Sequence, residues 1–345
     1  MARERLVSAD QQAEDKPVDI LSPALRPKRL NEYVGQPELL EKLRIAVQAA
    51  KMRKEPMEHV LLSGPPGLGK TTLAYIVAEE LTGNTPKITS GPALVRPSDL
   101  VGILTNLKPH DVLFIDEIHR LSIVVEEYLY PAMENFSIDI VTDSGRHAQA
   151  MSMPLQPFTL IGATTRSGLI SGPMRSRFGI AHHLAYYSPQ ELLKILHRSA
   201  GLLNMTADEA ALLAIAARSR GTPRVANRLL RRVRDFAIVR SHAKVTPDVV
   251  EAALELEGID ILGLDPLDRR FLATLARDYD GGPAGVEALA ATMGEERDTL
   301  EDVVEPFLLQ IGFIRRTPKG RQMTPAAYAH LKLTPPAQQK PESLF

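Results

Sequence analysis

The sequence feature that most constrains the fold is a glycine-rich segment at residues 63–72, Ser-Gly-Pro-Pro-Gly-Leu-Gly-Lys-Thr-Thr. It fits the P-loop pattern of glycine, four free positions, glycine, lysine, and serine or threonine. The apolar run at 59–62 predicts a buried strand before it, and the run at 72–81 predicts a helix after it. This order of strand, loop and helix outweighs the alternative of a glycine-rich turn without a ligand.

The P-loop predicts a site for nucleotide phosphates. Its glycines let backbone N–H groups turn inward onto phosphate oxygens. The N-terminus of the following helix adds partial positive charge at the same place. Lys70 can reach the β- and γ-phosphates, and the Thr71 hydroxyl can hold Mg²⁺.

An apolar run that ends in two carboxylates is the second candidate motif. Residues 112–115 are Val-Leu-Phe-Ile, and Asp116 and Glu117 follow directly. The pattern predicts a buried parallel strand that delivers both carboxylates to its C-terminal edge. In this Walker B pattern, Asp116 would act on Mg²⁺ and Glu117 would polarise the attacking water. The alternative is a pair of solvated carboxylates, and the preceding P-loop argues against it.

Two later segments each have two interpretations. Residues 158–166 predict another buried strand. Thr164 and Thr165 near its end suit either a γ-phosphate sensor or a strand that exits to solvent. Arg175 and Arg177 follow, and they are either surface arginines or donors to a phosphate across a subunit boundary. An arginine supplied in trans stabilises the transition state of phosphoryl transfer.

Residues 136–153 predict a β-hairpin with its turn at 142–145. Ile138, Ile140 and Met151 lie on this hairpin. They face either the core or a partner, since exposed apolar hairpins mark partner sites.

From residue 188 onward the sequence predicts helices, the first of them capped by Ser188. Arg224 starts a later helix and lies either on a solvated face or on the nucleotide. After a linker at 258–264, three helices and a strand–turn–strand give the order of a winged helix. Residues 306–340 contain basic residues but no Asp or Glu, which favours contact with nucleic-acid phosphates over contact with protein.

Composition excludes several classes of protein. A length of 345 residues predicts two or three domains, and the net charge of −1 gives no global field for nucleic acid. The chain has no cysteine, so disulfides, thiolate metal sites and cysteine nucleophiles are excluded. No run reaches the length of a membrane span, and the N-terminus lacks the apolar core of a signal peptide. We therefore expect a cytoplasmic protein without a membrane partner.

Taken together, these motifs resemble the AAA+ ATPases, close to their clamp-loader branch, and more narrowly the RuvB family. The resemblance extends from about Leu21 to about Pro335. It implies an α/β P-loop AAA+ domain with a parallel sheet, then a small all-α lid domain and a C-terminal winged-helix domain. The expected domains are 1–187 with an N-terminal extension, 188–258 for the lid and 259–345 for the winged helix. The segments that carry the resemblance are 25–27, 32–36, 64–72, 113–121, 162–166, 177–180, 221–224, 227–236, 294–298 and 316–321.

The resemblance also implies roles for single residues. The catalytic set would be Lys70, Asp116, Glu117 and an arginine finger, Arg177, with Thr71 and Asp116 on Mg²⁺. Contacts to ATP map to Leu25, Arg26, Gly64, Gly67, Gly69, Lys70, Thr71, Thr72, Glu134, Asn135, Phe136, Thr164, Thr165, Arg177, Tyr187 and Arg224. Among these, the two threonines would form sensor 1, where many AAA+ relatives have Asn, and Arg224 would be the sensor-2 arginine. Contacts to DNA map to Arg297, Arg316 and Arg321.

The function that the resemblance implies is ATP-driven branch migration of Holliday junctions in recombination, DNA repair and the SOS response. The implied partners are the duplex arms of the junction, a homohexamer of the chain, RuvA and, downstream, RuvC. RuvA would bind the hairpin around Ile138, Ile140 and Met151.

Two rival functions use the same domains. One is a clamp-loader-like switch that uses ATP to assemble a partner complex, with the winged helix as a docking module. The other is a transcription regulator with an ATP-sensing domain, for which the sequence offers no separate effector domain. The missing acidic residues of the wing favour the DNA motor over the switch.

Overall fold

The fold begins with a parallel sheet built around the P-loop strand. The computed structural model describes residues 22–141 and 150–334. The first 21 residues, the predicted turn at 142–145 and the tail from residue 335 lie outside the described residues. The elements of the N-terminal part are α1 (Ser22–Leu25), α2 (Pro37–Arg53), β1 (Val60–Ser63), α3 (Lys70–Thr82), β2 (Lys87–Ser90), α4 (Pro97–Leu104), β3 (Val112–Asp116), α5 (Ile123–Asn135), β4 (Ser137–Val141), β5 (Ala150–Pro154), β6 (Thr159–Thr164), α6 (Gly172–Ser176) and β7 (Ile180–His183).

Five of these strands form one parallel sheet in the order β2-β3-β6-β1-β7. Strands β1 and β6 are buried throughout, which explains why their sequences are continuous apolar runs rather than alternating ones. The carboxyl ends of β1, β3 and β6 therefore meet at one edge, where the P-loop, Asp116 and Thr164 follow. The predicted parallel sheet is confirmed.

The sheet is covered on both faces. One hydrophobic cluster joins α2 and α3 to the sheet, and a second joins α4 and α5 to it. The predicted hairpin forms as the antiparallel pair β4 and β5. Ile138 on this hairpin is fully buried in the second cluster, so the expectation that it faces a partner is wrong. Met151 is 57% exposed and remains available to a partner.

A helical lid follows the sheet. Its elements are α7 (Pro189–Leu202), β8 (Thr206–Ala207), α8 (Glu209–Ala217), α9 (Pro223–Arg240), β9 (Lys244–Val245) and α10 (Pro247–Leu256). Ser188 caps α7 as predicted, through a reciprocal capping box with Glu191. The lid helices share the hydrophobic cluster of α2 and α3. The lid therefore belongs to the same hydrophobic core as the P-loop helix.

The C-terminal part is a winged helix with its own hydrophobic cluster. Its elements are α11 (Pro266–Asp278), α12 (Val286–Met293), α13 (Arg297–Thr299), a π-helical segment (Leu300–Val304), α14 (Glu305–Gln310), β10 (Ile314–Thr317), β11 (Gly320–Met323) and α15 (Pro325–Leu331). The third predicted helix is not one continuous α-helix, since the π-helical segment separates α13 from α14. Pro306 has no N–H, so the α-helical hydrogen bond at that turn cannot form, and the backbone widens before it.

Within the described ranges, no helix is long and apolar enough to cross a membrane.

Candidate active site

The P-loop backbone takes a conformation that only glycine adopts readily. Gly64, Gly67 and Gly69 have φ values of 131°, 82° and 102°. A Cβ on Gly64 would lie 2.8 Å from the carbonyl oxygen of Leu184, at the end of the neighbouring strand. The loop is therefore wound tightly against the sheet edge and ends where α3 begins, at Lys70. This is a cradle of backbone N–H groups that suits phosphate.

Lys70 is the buried cation of this cradle, with 7% of its surface exposed. Its Nζ donates hydrogen bonds to the carbonyl oxygens of Gly64 and Pro65, at 2.7 and 2.9 Å. Burial lowers the pKa of Lys70, and the nearby charges of Asp116 and Glu117 oppose that shift. Carbonyl partners can be exchanged for phosphate oxygens without breaking an ion pair. Thr71 and Thr72, which follow, are half-buried at the start of α3.

Asp116 and Glu117 lie at the end of β3, as predicted. The Oδ1 atom of Asp116 accepts a hydrogen bond from the backbone N–H of Glu117 at 3.0 Å. Glu117 has a left-handed backbone with φ 46°, which turns its side chain toward β6. There its Oε2 accepts a hydrogen bond from Thr165 at 3.1 Å and lies 3.2 Å from His119 Nδ1. The candidate catalytic base is thus oriented by two side chains.

His119 is a residue that the sequence motifs did not single out. Its Nδ1 lies 2.9 Å from the hydroxyl of Thr164, which is fully buried. Burial lowers the pKa of His119, which keeps the ring neutral and able to share one proton with either neighbour. The two threonines therefore differ: Thr165 contacts Glu117, whereas Thr164 contacts His119.

Two tyrosines contact the P-loop. The hydroxyls of Tyr33 and Tyr187 both donate to the carbonyl oxygen of Leu68 at 3.1 Å, and they lie 2.9 Å apart. Burial raises the pKa of Tyr187 to about 12, so it stays protonated as a donor. Tyr187 was expected at the nucleotide, but Tyr33 was not. A Cβ on Gly69 would lie 2.6 Å from the Tyr33 hydroxyl, which explains why glycine stands there.

Leu25 and Arg26 border the same region. Leu25 is 6% exposed, and the guanidinium of Arg26 lies 4.6 Å from the ring centre of Tyr75 on α3. Arg198 from the lid donates to the carbonyl oxygens of both residues, at 2.8 and 3.1 Å. This segment therefore connects the P-loop helix to the lid.

Arg224 lies at the start of α9 and meets the P-loop through its backbone. Its N–H donates to the carbonyl oxygen of Gly67 at 3.3 Å, while its side chain is exposed. Its charge also contributes to the lowered pKa of Lys70. The lid thus places a cation beside the phosphate cradle.

Arg177 lies apart from these groups. Its guanidinium contacts Tyr130, Glu134 and Pro173, and none of its contacts among the described residues involves the P-loop or Glu117. Asn135 is exposed beside Glu134, and Phe136 packs edge-on against Phe158 at 5.8 Å. The structure therefore brings Arg177 together with Glu134, and none of its described contacts joins it to the chain's own cradle.

The oxygen donors near the cradle fit Mg²⁺. Asp116 and Thr71 are half-buried and offer a carboxylate and a hydroxyl, which are hard ligands of the kind that Mg²⁺ takes. Within 22–141 and 150–334, no cluster of three or more His, Asp or Glu could hold a metal ion. The ion would therefore depend on nucleotide phosphates as well as on Asp116 and Thr71.

The arginines expected at DNA are paired with carboxylates. Arg316 and Arg321 both donate to Glu305, which is fully buried, at 2.7 and 2.6 Å. Glu301 accepts from Arg321 at 3.1 Å and from Arg297 at 3.3 Å. Residues 306–340 have no acidic residue, but the two glutamates that balance the wing arginines lie shortly before Pro306.

Two ion-pair clusters connect the winged helix to the rest of the chain. Arg166, one residue after Thr165, pairs with Asp302 at 2.9 Å and also lies near Asp298 and Glu301. Arg220, in the loop before Arg224, pairs with Asp265 and Asp268 at 2.8 and 2.7 Å. The segments that contain Thr165 and Arg224 therefore each carry an arginine that pairs with a carboxylate of the winged helix.

Comparison with known proteins identifies the three parts. The family model of the Holliday junction DNA helicase RuvB P-loop domain matches residues 25–184. The RuvB AAA lid domain matches 187–260, and the RuvB C-terminal winged helix domain matches 261–332.

Solved structures are similar over most of the chain. The Thermotoga maritima RuvB Holliday junction branch migration motor is 51% identical, with a TM-score of 0.82. The match covers 91% of this chain and 100% of that one. Two mutants of Thermotoga maritima RuvB are each 52% identical with a TM-score of 0.84. Their matches cover 90% of this chain and 99% and 100% of theirs.

Proposed function

Because this chain belongs to the RuvB family of P-loop AAA+ ATPases, we propose that it is a hexameric ring motor that drives branch migration of Holliday junctions. One observation carries the proposal. Lys70, Glu117 and Arg224 lie near one another at one edge of the sheet, whereas the described contacts of Arg177 are with Tyr130, Glu134 and Pro173. A complete site therefore requires a second subunit, whose Arg177 faces the cradle of the first.

In this proposal the P-loop binds the phosphates of ATP, and Lys70 exchanges its two carbonyl partners for phosphate oxygens. Mg²⁺, held by Thr71 and Asp116, would neutralise developing negative charge on the phosphates. Glu117 takes part as the base that orients and polarises the attacking water. Thr165 and His119 fix the direction of its carboxylate beforehand, so little reorganisation is needed at the moment of reaction.

The remaining proposed nucleotide contacts surround this centre. Gly64, Gly67, Gly69 and Thr72 would line the phosphates, and Leu25, Arg26 and Tyr187 the rest of the nucleotide. Glu134, Asn135 and Phe136 would act from the neighbouring subunit, beside Arg177. The proposed domain bounds are 1–187 for the P-loop domain with its N-terminal extension, 188–258 for the lid and 259–345 for the winged helix.

Movement would be transmitted through the lid. Arg224 and Gly67 are in direct contact, and Arg220 ties the same loop to the winged helix. Loss of phosphate contacts would change the angle between lid and P-loop domain, and the winged helix would follow because Arg220 couples it to the loop. Sequential changes around the ring would move duplex DNA held by Arg297, Arg316 and Arg321.

Partners and location complete the proposal. RuvA would bind the hairpin through Met151 and the neighbouring Ile140, whose side chain lies outside the described residues. RuvC would act downstream on the same junction, in the cytoplasm, during recombinational repair and the SOS response.

The experiment that tests the motor measures separation of the arms of a synthetic four-way junction with ATP, Mg²⁺ and RuvA. We expect the wild type to separate the arms. Arg177→Ala should still bind ATP but hydrolyse it about 10³-fold more slowly, since an arginine finger contributes that much. Arg240→Ala, which removes an exposed arginine at the C-terminal end of α9, is the matched control and should behave as wild type.

The clamp-loader-like switch remains the second candidate, because Glu301 and Glu305 neutralise the wing arginines. It predicts a wild type that hydrolyses ATP but never separates the arms, with or without RuvA. That result would overturn the motor.

A further inference from the structure

The surface around Arg177 is built by one face of α5. Glu126, Tyr130 and Glu134 are spaced four residues apart on this helix, so their side chains line up along one stripe. The stripe faces α6, the short helix that ends next to Arg177. All three side chains contact residues 171–177, either directly or through one another.

The guanidinium of Arg177 is fixed from three directions. Its centre lies 4.1 Å from the ring centre of Tyr130, which is the geometry of a cation–π contact. One terminal nitrogen pairs with Glu134 at 3.0 Å, and the other donates to the carbonyl oxygen of Pro173 at 2.6 Å. Only 18% of the side chain is exposed, and its Nε is buried without a partner among the described residues.

The ring of Tyr130 is itself fixed to the helix that carries Arg177. Its hydroxyl donates to Glu126 Oε1 at 2.6 Å, and the hydroxyl of Ser171 donates to the same carboxylate oxygen. Ser171 in turn caps α6, since it accepts a hydrogen bond from the N–H of Met174 at 3.2 Å. Burial and the bond to Glu126 raise the pKa of Tyr130, which keeps the phenol protonated and neutral.

The three contacts differ in how readily a nucleotide could replace them. Glu134 is 51% exposed, so its ion pair with Arg177 is screened by water and contributes little. A phosphate can displace this carboxylate from the guanidinium, because both are anions that take the same donors. The ring contact survives that exchange, because it uses the face of the guanidinium and leaves its edge N–H groups free.

We propose that Tyr130 is the positioning residue of Arg177: its ring holds the guanidinium by the face, so that the edge can transfer from Glu134 to the phosphate of a neighbouring subunit. The inference rests on the proposed ring with Arg177 acting in trans. Without the aromatic ring of Tyr130, the long side chain of Arg177 would sample many rotamers, and the productive rotamer would have to be found in every cycle of hydrolysis.

Substitutions at Tyr130 separate the ring from the hydroxyl. Tyr130→Leu removes the aromatic face, and we expect kcat for ATP hydrolysis to fall about tenfold with an unchanged affinity for ATP. Tyr130→Phe keeps the face and loses only the hydrogen bonds of the hydroxyl with Glu126 and Ser171, and it should retain at least half of the wild-type kcat. Tyr130→Met fills the same space without an aromatic ring and should fall with Tyr130→Leu. Sedimentation checks that each variant still assembles as the wild type does.

Mixing subunits tests whether Tyr130 acts on the neighbouring site. Lys70→Met subunits have no working cradle but an intact Arg177, so they can supply the finger to Tyr130→Leu subunits. In an equal mixture, about a quarter of all sites combine a working cradle with a working finger. We therefore expect about fivefold more hydrolysis than simple dilution of Tyr130→Leu by an inactive protein would give.

The same mixture with Arg177→Ala separates the two proposals. If Arg177→Ala and Lys70→Met restore no activity to each other, the trans finger itself is wrong. If they do, but Tyr130→Leu and Lys70→Met give only the diluted rate, Tyr130 does not act through the finger and this inference is overturned. It is also overturned if Tyr130→Phe is as slow as Tyr130→Leu.

Discussion

The cations of the P-loop region and those of the winged helix are balanced in different ways. Lys70 is buried against backbone carbonyls, and its ammonium has no carboxylate within hydrogen-bond distance among the described residues. Arg321 is also largely enclosed, at 15% exposed, but it pairs with Glu301 and with the fully buried Glu305. Among the described residues, Lys70 therefore has no carboxylate partner and can take an external anion, whereas Arg321 already pairs with carboxylates of the protein.

The difference teaches which cations are part of the fold. Removing Lys70 leaves no buried charge without a partner, so the fold should tolerate the loss. Removing Arg321 leaves Glu305 buried beside one remaining partner, Arg316, which is 54% exposed. Arg321, which the family resemblance assigns to DNA, is therefore also a structural residue of the winged helix.

The largest expected effect separates activity from stability at Lys70. Lys70→Met should lower kcat for ATP hydrolysis at least about 10²-fold, because a donor aimed at the transferring phosphate is lost. The free energy of unfolding should stay the same or rise, since an apolar side chain replaces a buried charge. Urea unfolding beside a steady-state ATPase assay measures both quantities. A clear loss of stability would mean that Lys70 is structural too, and the comparison would fail.

The opposite pattern is expected at Arg321. Arg321→Ala should lower the free energy of unfolding of the winged helix by about 3 kcal/mol, the cost of breaking a buried ion pair. ATP hydrolysis without DNA should change little. Arg316→Ala is the matched variant for comparison. The side chain that it removes is more exposed, and Glu305 stays paired with Arg321, so the loss of stability should be smaller.

The affinity for duplex DNA tests the same two variants, Arg316→Ala and Arg321→Ala. Arg316→Ala should weaken binding about tenfold and reduce the salt slope by about one, as expected for one lost phosphate contact. If neither variant changes the salt dependence, the wing does not bind phosphates, and the docking role of the switch gains support.

The same contrast explains how much the sequence could predict. The P-loop strand, loop and helix are contiguous, so their fold follows from local pattern, and the same pattern predicts the roles proposed for Lys70 and Thr71. The parallel sheet was equally predictable, because its buried strands are unbroken apolar runs. Family resemblance added Arg224, which the structure places against Gly67.

Contacts between distant segments could not be predicted in this way. Arg166 and Asp302 are 136 residues apart in sequence, and no motif connects them. His119 contacts Thr164, which is 45 residues away in sequence, and Tyr33 contacts the carbonyl oxygen of Leu68, which is 35 residues away. The segment 306–340 gave a false impression of uncompensated charge, because Glu301 and Glu305 lie one turn earlier on the same helical stretch.

The smallest expected effect concerns Arg220, whose two carboxylates differ in their titration. Burial raises the pKa of Asp268 to about 7, although Arg220 opposes the shift. Burial acts to raise the pKa of the more exposed Asp265 as well, but the charge of Arg220 and hydrogen bonds from backbone N–H groups outweigh it and lower the pKa. The folded protein therefore binds a proton at Asp268 more tightly than the unfolded chain does. The stability that this gives is complete below about pH 4 and is lost as the pH rises through 7.

Between pH 6 and pH 8 the free energy of unfolding should thus fall by about 1 kcal/mol through Asp268 alone. Asp268→Asn cannot titrate, so its unfolding free energy should depend less steeply on pH over this range than that of the wild type. Asp278→Asn, an exposed residue of the same helix, should keep the wild-type slope. Urea unfolding at pH 6, 7 and 8 measures all three. An identical slope in Asp268→Asn and the wild type would mean that Asp268 is a fixed charge like Glu305, and that every buried carboxylate of the winged helix serves only to balance an arginine.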